Sequence, residues 1–326
     1  MARASARKAV LVLTGVEDST VDPVIHHLTE RGVPVVRLDP GDFPSEMTVE
    51  AEFDSVRWTG TVQDAFRGID LKSVRSVYYR RPSQFTLVDG MSGPEARWSY
   101  REARMGLGGV LLSLDCLWIN RPSLMSAAEY KPVQLATAAK AGLRVPRTII
   151  TNVPEHAAAW AAGVSGAVVY KPLGGALHVE EGRTKIVYTT PVDALGELRD
   201  PALALTAHCF QQWVDKHHEV RVVIVGEAMF AVAIHAESQA AHVDWRSDYA
   251  AHRYEVCEIP DDVRVGLRRC MDAFGLVFGA VDFVVSPDGS WSFLEVNPNG
   301  EWGWLAHHCD LPVARTIAAL LERGET

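Results

Sequence analysis

Near the C-terminus two apolar runs, Ala280–Val285 and Trp291–Val296, flank the turn sequence Ser286-Pro287-Asp288-Gly289-Ser290. Such runs on either side of a Pro-Asp-Gly turn predict an antiparallel hairpin, and the turn sets its register. With Ser286 paired to Trp291, Asp282 falls directly opposite Glu295. Side chains alternate faces along a strand, so Asn297 shares the face of Glu295. Val281, Phe283, Val285, Leu294 and Val296 share the other face and form a core surface. Two carboxylates across a ladder repel unless something neutralises them. A hard divalent cation held by Asp282, Glu295 and the Asn297 carboxamide meets that need, and Mg²⁺ commonly combines one or two carboxylates with nucleotide phosphates and water. The alternative is a solvated acidic edge with a structural Asn297, and a one-residue slip would exchange the two faces.

The rest of the chain alternates strand and helix signals. Ala9–Leu13 reads as a buried strand, Val21 to Arg31 as a helix closed by Gly32, and Val33–Leu38 as a second strand. That βαβ opening predicts a parallel sheet. Met47–Thr61 reads as a strand pair, Ser73–Tyr79 as a strand running into Arg80-Arg81-Pro82, Pro94–Leu114 as a long helix and Leu117–Asn120 as a short strand. The turn Thr14-Gly15-Val16-Glu17 is not a dinucleotide-binding glycine pattern. Beyond Pro122, Ser126 and Glu129 have capping-box spacing, Pro132 suits a helix start and Gly142 its end. Ala167–Leu173 and Thr184–Thr190 read as an antiparallel pair bridged by a glycine-rich lid, Gly174–Gly182. Strands at Phe210–Val214, Val220–Val225 and Met229–Ile234, a helix near Asp262–Phe274, the hairpin and a helix from Pro312 to Glu322 complete the chain. The fold class is α/β together with α+β. Its expected units are residues 1–121, 122–209 and 210–326.

Composition narrows the function. A formal net charge of −9 over 326 residues argues against a nucleic-acid-coating protein. No stretch approaches the roughly 20 apolar residues of a membrane span. The five cysteines (Cys116, Cys209, Cys257, Cys270, Cys309) show neither CxxC pairs nor framework spacing, which fits a reduced, cytoplasmic protein without zinc. His217-His218 and His307-His308 are adjacent pairs whose side chains are expected to diverge, as surface or packing residues.

Several residue sets suit a nucleotide. Lys171 ends an apolar strand and precedes Gly174 and Gly175, where backbone amides approach phosphates. A strand-end lysine before an ordinary loop is the plainer reading. Gln211, Gln212, Trp213 and Val214 form an apolar strand able to hinge against a purine. Glu219 and Arg221 share one strand face, suited to ribose hydroxyls and phosphate oxygens or to a cross-strand ion pair.

Taken in order, Lys131, Lys171, Gln211–Val214, Glu219, Arg221, Asp282, Glu295 and Asn297 resemble the site of an ATP-grasp ligase. The chain is most similar to the ribosomal-peptide maturases of that superfamily, the graspetide (microviridin-type) macrocyclases. The resemblance rests on Tyr78-Tyr79-Arg80-Arg81-Pro82, Trp118-Ile119-Asn120-Arg121-Pro122, Val243-Asp244-Trp245-Arg246 and Asn297-Pro298-Asn299-Gly300-Glu301-Trp302. It also rests on Gly142-Leu143-x-Val145-Pro146-x-Thr148. It implies a pre-ATP-grasp N-terminal domain and two lobes clamping ATP. Lys131 and Lys171 would contact phosphates and adenine, Gln211 to Val214 the adenine edge and Glu219 the ribose. Asp282, Glu295 and Asn297 would hold Mg²⁺.

The implied reaction activates an Asp or Glu side chain of a precursor peptide as an acyl phosphate. A Ser or Thr hydroxyl or a Lys amine of the same peptide then attacks, closing an ester or amide ring. Charge gathers on phosphate oxygens, so Arg221 and Arg246 are candidates to stabilise it. The implied partner is a ribosomally made precursor with a leader and an acid-containing core; a homodimer is compatible, and nucleic acid and membrane are not expected. Arg67 to Arg104 carries eight basic and four acidic residues, so Arg80, Arg81, Arg97, Arg101 and Arg104 are candidates to hold an acidic peptide. For Arg97, Arg101 and Arg104, spaced along one helix face, a solvated stripe is the alternative. Two other functions remain: a ligase adding a free amino acid to a peptide or small acid, and a nucleotide-regulated binding protein without turnover.

Overall fold

The computed structural model describes residues 8–174, 177–180, 183–238, 243 and 252–325, with only the backbone at 177–180 and 183–186. The chain begins with β1 (Ala9–Leu13), α1 (Asp22–Glu30), β2 (Val35–Leu38), β3 (Thr48–Phe53), β4 (Trp58–Gln63), β5 (Gly68–Asp70), β6 (Val74–Tyr79), α2 (Gly93–Leu112) and β7 (Leu117–Ile119). β2, β1, β6 and β7 form the expected parallel sheet in that order. β3, β4 and β5 make a separate antiparallel sheet whose third strand was not expected. A capping box starts α2: the Ser92 amide donates to Glu95 Oε2 (2.9 Å), and the Ser92 hydroxyl accepts from the Glu95 amide (3.4 Å).

α3 (Pro122–Ala128), α4 (Lys131–Lys140), β8 (Thr148–Thr151), α5 (Pro154–Ala162), β9 (Val168–Lys171), β10 (Leu177–Glu180), β11 (Arg183–Ile186), β12 (Thr190–Pro191) and β13 (His208–Gln212) follow. The expected capping box at Ser126 and Glu129 is not formed, because Ser126 lies inside α3. The expected pairing of Ala167–Leu173 with Thr184–Thr190 is also corrected. β9 pairs with β12 over only two residues, and the intervening β10 and β11 pair with each other. β12, β9, β13 and β8 form one antiparallel sheet, so the expected boundary after residue 209 falls inside β13.

The last part comprises β14 (His218–Val225), β15 (Ala228–Ala236), β16 (His252–Val256), α6 (Asp261–Phe274), β17 (Phe278–Val285), β18 (Trp291–Asn297), α7 (Gly303–Cys309) and α8 (Val313–Arg323). Its five-stranded antiparallel sheet runs β16-β15-β14-β17-β18. α6 buries Val263, Gly266, Leu267, Cys270, Met271 and Phe274, the three-and-four spacing of an amphipathic helix.

The apolar clusters explain how the parts are joined. Val10, Val12 and Tyr78 of the parallel sheet share one core with Val223, Val225, Val232 and Phe278 of the five-stranded sheet, closed by Ile317 and Leu321 of α8. First and last parts are therefore fused. The middle sheet has its own small core, built on Ala157, Ala161, Val168 and Phe210. Among the described residues no helix is long and apolar enough to cross a membrane.

Candidate functional site

The predicted hairpin forms, and Asp282 stands opposite Glu295. The route to that pairing differs from the expected one. At the turn Val285, not Ser286, pairs with Trp291, and the Ser286 amide donates to the Ser290 carbonyl (2.9 Å). The register then shifts between Asp282 and Phe283, leaving Leu294 as an extra residue. Phe293 rather than Leu294 enters the core, edge to face with Phe283 at 5.9 Å between ring centroids. Leu294 instead faces the cleft that Asp282 and Glu295 line.

That cleft lies between the middle and five-stranded sheets. Lys171, Gln211 to Val214, Glu219, Asp282 and Glu295 all line it. Five strands thus bring together most of the residues singled out from sequence. Gly174 is exposed three residues beyond β9; Gly175 and Arg246 lie outside the described residues. The hinge retains few backbone amides for a purine. The Gln212 amide donates to the Arg147 carbonyl (2.8 Å) and the Trp213 amide to the Ala167 carbonyl (2.9 Å). Gln211 donates from Nε2 to Thr148 Oγ1 (2.9 Å) and Gln212 to the Ser165 carbonyl (3.0 Å).

The carboxylates are neutralised by the protein's own cations. Arg221 grips Asp282 with two parallel bonds, Nε to Oδ1 (2.8 Å) and Nη2 to Oδ2 (2.9 Å), and its Nη1 donates to the Glu301 carbonyl (3.2 Å). Lys131 donates to Glu295, and Lys216 to Glu219. The repulsion that pointed to a cation is therefore already relieved. The donors still suit Mg²⁺: two buried carboxylates side by side, and the exposed Asn297 two residues along β18. Asp282 is held by a rigid bidentate fork and Glu295 by a compact ammonium, the more exchangeable partner.

Neighbouring elements hold this arrangement. Gln134, one turn beyond Lys131 on α4, donates to the Val296 carbonyl (2.9 Å) and accepts from the Val296 amide (3.0 Å). That fixes α4 along β18 and presents Lys131 to Glu295. Asn120, buried at the end of the parallel sheet, donates to the Phe278 and Pro298 carbonyls (both 2.8 Å) and accepts from the Val277 and Phe278 amides. Gln134 and Lys216 were not singled out from sequence, and Asn120 only as part of the Trp118–Pro122 motif. A polar residue at a core-facing helical position was a usable signal for Gln134 alone.

Two expectations change. Arg80 is not on a peptide-facing surface: it is 1% exposed and donates to Asn299 Oδ1 (3.2 Å), the Gly300 carbonyl (3.1 Å) and Glu301 Oε1 (2.8 Å). Its Nε lies 3.4 Å from Asp18. It ties the parallel sheet to the loop following Asn297. That loop turns tightly, and a Cβ on Gly300 would sit 2.5 Å from the Ala280 Cβ. Arg81, half exposed, also reaches Glu301 (2.6 Å), and Arg97, Arg101 and Arg104 are exposed on α2. His217 and His218 do not diverge. Their Nδ1 atoms are 2.8 Å apart, and His235 lies across the ladder, its ring 5.0 Å from that of His218. Among the described residues no group of three or more His, Cys, Asp or Glu is placed to hold a metal ion. Burial pushes the Cys209 thiol up although Lys171 pairs with it in the ladder, so it is a poor nucleophile for acyl transfer.

The sequence matches the family model of the MvdD pre-ATP-grasp domain over residues 9–126. The structure is similar to the Chryseobacterium gregarium RiPP-associated ATP-grasp ligase in complex with ADP and a leader and core peptide, at TM-score 0.90 and 28% identity over 98% of both chains. It is similar to the macrocyclase MdnB of Microcystis aeruginosa MRC at TM-score 0.81 and 30% identity, covering 96% of this chain and 99% of that one. A curated relative, the tetrahydromethanopterin:alpha-L-glutamate ligase of Methanocaldococcus jannaschii, is 23% identical over 199 residues, 60% of this chain and 67% of that protein.

Proposed function

The chain belongs to the ATP-grasp ligases that mature ribosomally made peptides, and from that premise we propose how its residues carry out the reaction. It is an ATP-dependent ligase that crosslinks a peptide. A peptide carboxylate attacks the γ-phosphorus of ATP and ADP leaves. A hydroxyl or amine of the same peptide then attacks the acyl carbon, and phosphate leaves with the bond to carbon broken. One water is lost from the peptide for each ester or amide formed. The substrate is a precursor with a leader and a core containing Asp or Glu.

The observation that carries this reading is the cross-strand pair Asp282 and Glu295 in the same cleft as Lys171 and the Gln211–Val214 hinge. The cleft encloses about 50 Å³, whereas ligand sites usually need several hundred. Nucleotide entry therefore requires the middle lobe, with its separate core, to swing away and Lys216 to exchange Glu219 for the ligand. Glu219 then accepts from ribose hydroxyls. Asp282, Glu295 and Asn297 would hold Mg²⁺, which would supply neutralisation of phosphate charge. Lys131, paired with Glu295 here, and Lys171 would face the phosphates. Arg221 keeps the Asp282 carboxylate oriented throughout and, with Arg246, is assigned to developing negative charge. Arg81, Arg97, Arg101 and Arg104 face the acidic peptide; Arg80 acts through the loop it holds. The parallel-sheet domain, up to residue 121, precedes the two lobes, with their boundary after Gln212.

The test is ADP release when a candidate precursor peptide with an Asp- or Glu-containing core is added. Glu295→Gln is expected to stop release while nucleotide binding persists; unchanged release would remove Glu295 from the metal site.

A further inference from the structure

The parallel sheet ends in a second concavity. It holds about 650 Å³ at the carboxyl ends of β1, β6 and β7, beside Leu13, Tyr79 and Trp118, where open parallel sheets receive ligands. Tyr79, Phe85 and Tyr100 line it, and the rings of Phe85 and Tyr100 meet edge to face, 5.4 Å between centroids. α2 forms one wall. At Gly108 that wall is bare backbone, since a Cβ there would meet nothing within 4 Å. Arg104 stands at the rim, with Arg97 and Arg101 exposed further along α2.

The strand end Tyr79-Arg80-Arg81 connects this groove to the nucleotide cleft. Successive side chains point to opposite faces. Tyr79 lines the groove, while Arg80 reaches the Asn299–Glu301 loop that follows the metal-binding strand. Arg81 bridges to the same loop while half exposed. A chain leaving the groove over Arg81 therefore arrives beside Glu301, whose carbonyl contacts Arg221 at Asp282.

We propose that this groove anchors the peptide substrate by an aromatic side chain flanked by Asp or Glu, directing the acidic stretch across Arg81 toward the cleft. The inference rests on the peptide-ligase reading. The groove offers ring faces and edges to an aromatic residue, and its basic rim suits the carboxylates beside it. Arg104 is the one charged side chain among the residues that line the groove, which selects an acidic occupant.

The test is fluorescence anisotropy with two labelled peptides, Glu-Glu-Phe-Glu-Glu and Glu-Glu-Ala-Glu-Glu. The Phe peptide is expected to bind about tenfold tighter. Gly108→Phe, which fills the groove from its open side, should erase that difference, and Arg104→Glu should weaken both peptides. ATP binding and the melting temperature should stay at wild-type values in both variants. Equal binding of the two peptides to the wild type, or an undiminished preference in Gly108→Phe, would overturn the proposal. So would a change in oligomeric state with Gly108→Phe, which would mark a contact between copies. An enzyme that keeps the Phe preference but never crosslinks its precursor would sink the catalytic reading alone.

Discussion

The two concavities of this molecule treat charge in opposite ways. In the cleft between the middle and five-stranded sheets Arg221, Lys131 and Lys216 each hold a carboxylate, and about 50 Å³ remains. In the groove beside α2 about 650 Å³ is open, and the arginines at and beyond its rim are exposed. On the proposed reading a ligand enters the first site by exchanging partners and the second by adding to a surface. Exchange keeps buried charges paired at every stage, which matters where desolvation is severe. Addition leaves binding exposed to solvent screening.

The largest effect that would break the contrast is expected at the carboxylates. Glu295→Gln removes a charge the cleft is built to exchange, and ADP release should fall about 100-fold or more. A loss of only a few-fold would mean the pair is structural. Next comes the strand end, where adjacent arginines differ in burial. Arg80→Ala strands buried carboxylate charge and should cost about 3 kcal/mol in denaturant unfolding. Arg81→Ala, at a side chain 51% exposed, should cost below about 1 kcal/mol. Similar losses at both would erase the distinction between tie and surface. Salt should separate the sites further: raising it from about 50 to 300 mM should weaken peptide binding at the groove several-fold. The melting temperature, set by buried pairs, should move little. Equal salt dependence would count against the groove's electrostatic role.

The smallest effect lies outside both sites. Burial, then neighbouring charge, holds His218 and His235 below the ordinary histidine value of 6.5, with Arg253 and Glu255 facing them. Groups with depressed values are neutral in the folded state and take up protons on unfolding below 6.5. Their stabilisation is thus present above that value and is lost as pH falls through the depressed values. Thermal melts at pH 7.5 and 5.5 should show this drop, and His235→Gln should shrink it. A drop unchanged in the variant would assign it elsewhere.

How far the sequence was legible follows from the range of each interaction. The Asp282–Glu295 pairing could be reached from a turn, although two departures cancelled on the way. The loop is one residue longer than expected, and the bulge at Leu294 restores the register. Alternation alone cannot place a bulge, because the choice between Phe293 and Leu294 is made by Phe283 across the ladder, whose ring packs edge to face on both Phe293 and Trp291. The parallel sheet, α2 and α6 were readable from local periodicity. Arg80 was not, since its partners at Asn299–Glu301 lie some 220 residues away, and an arginine at a strand end reads the same whether it meets water or a loop. The role of Asn120 was hidden for the same reason, its partners Phe278 and Pro298 lying 158 and 178 residues away, whereas Lys216 was missed although Glu219 is only three residues on.

The central claim is that this chain closes bonds within a peptide at the expense of ATP. The most direct measurement is the intact mass of a candidate precursor peptide after incubation with enzyme, ATP and Mg²⁺. A loss of one water per crosslink, absent with Glu295→Gln, is the predicted result. A mass increased by an amino-acid residue would make the chain a ligase of free amino acids. An unchanged mass without ADP, beside an active control enzyme, would contradict catalysis altogether.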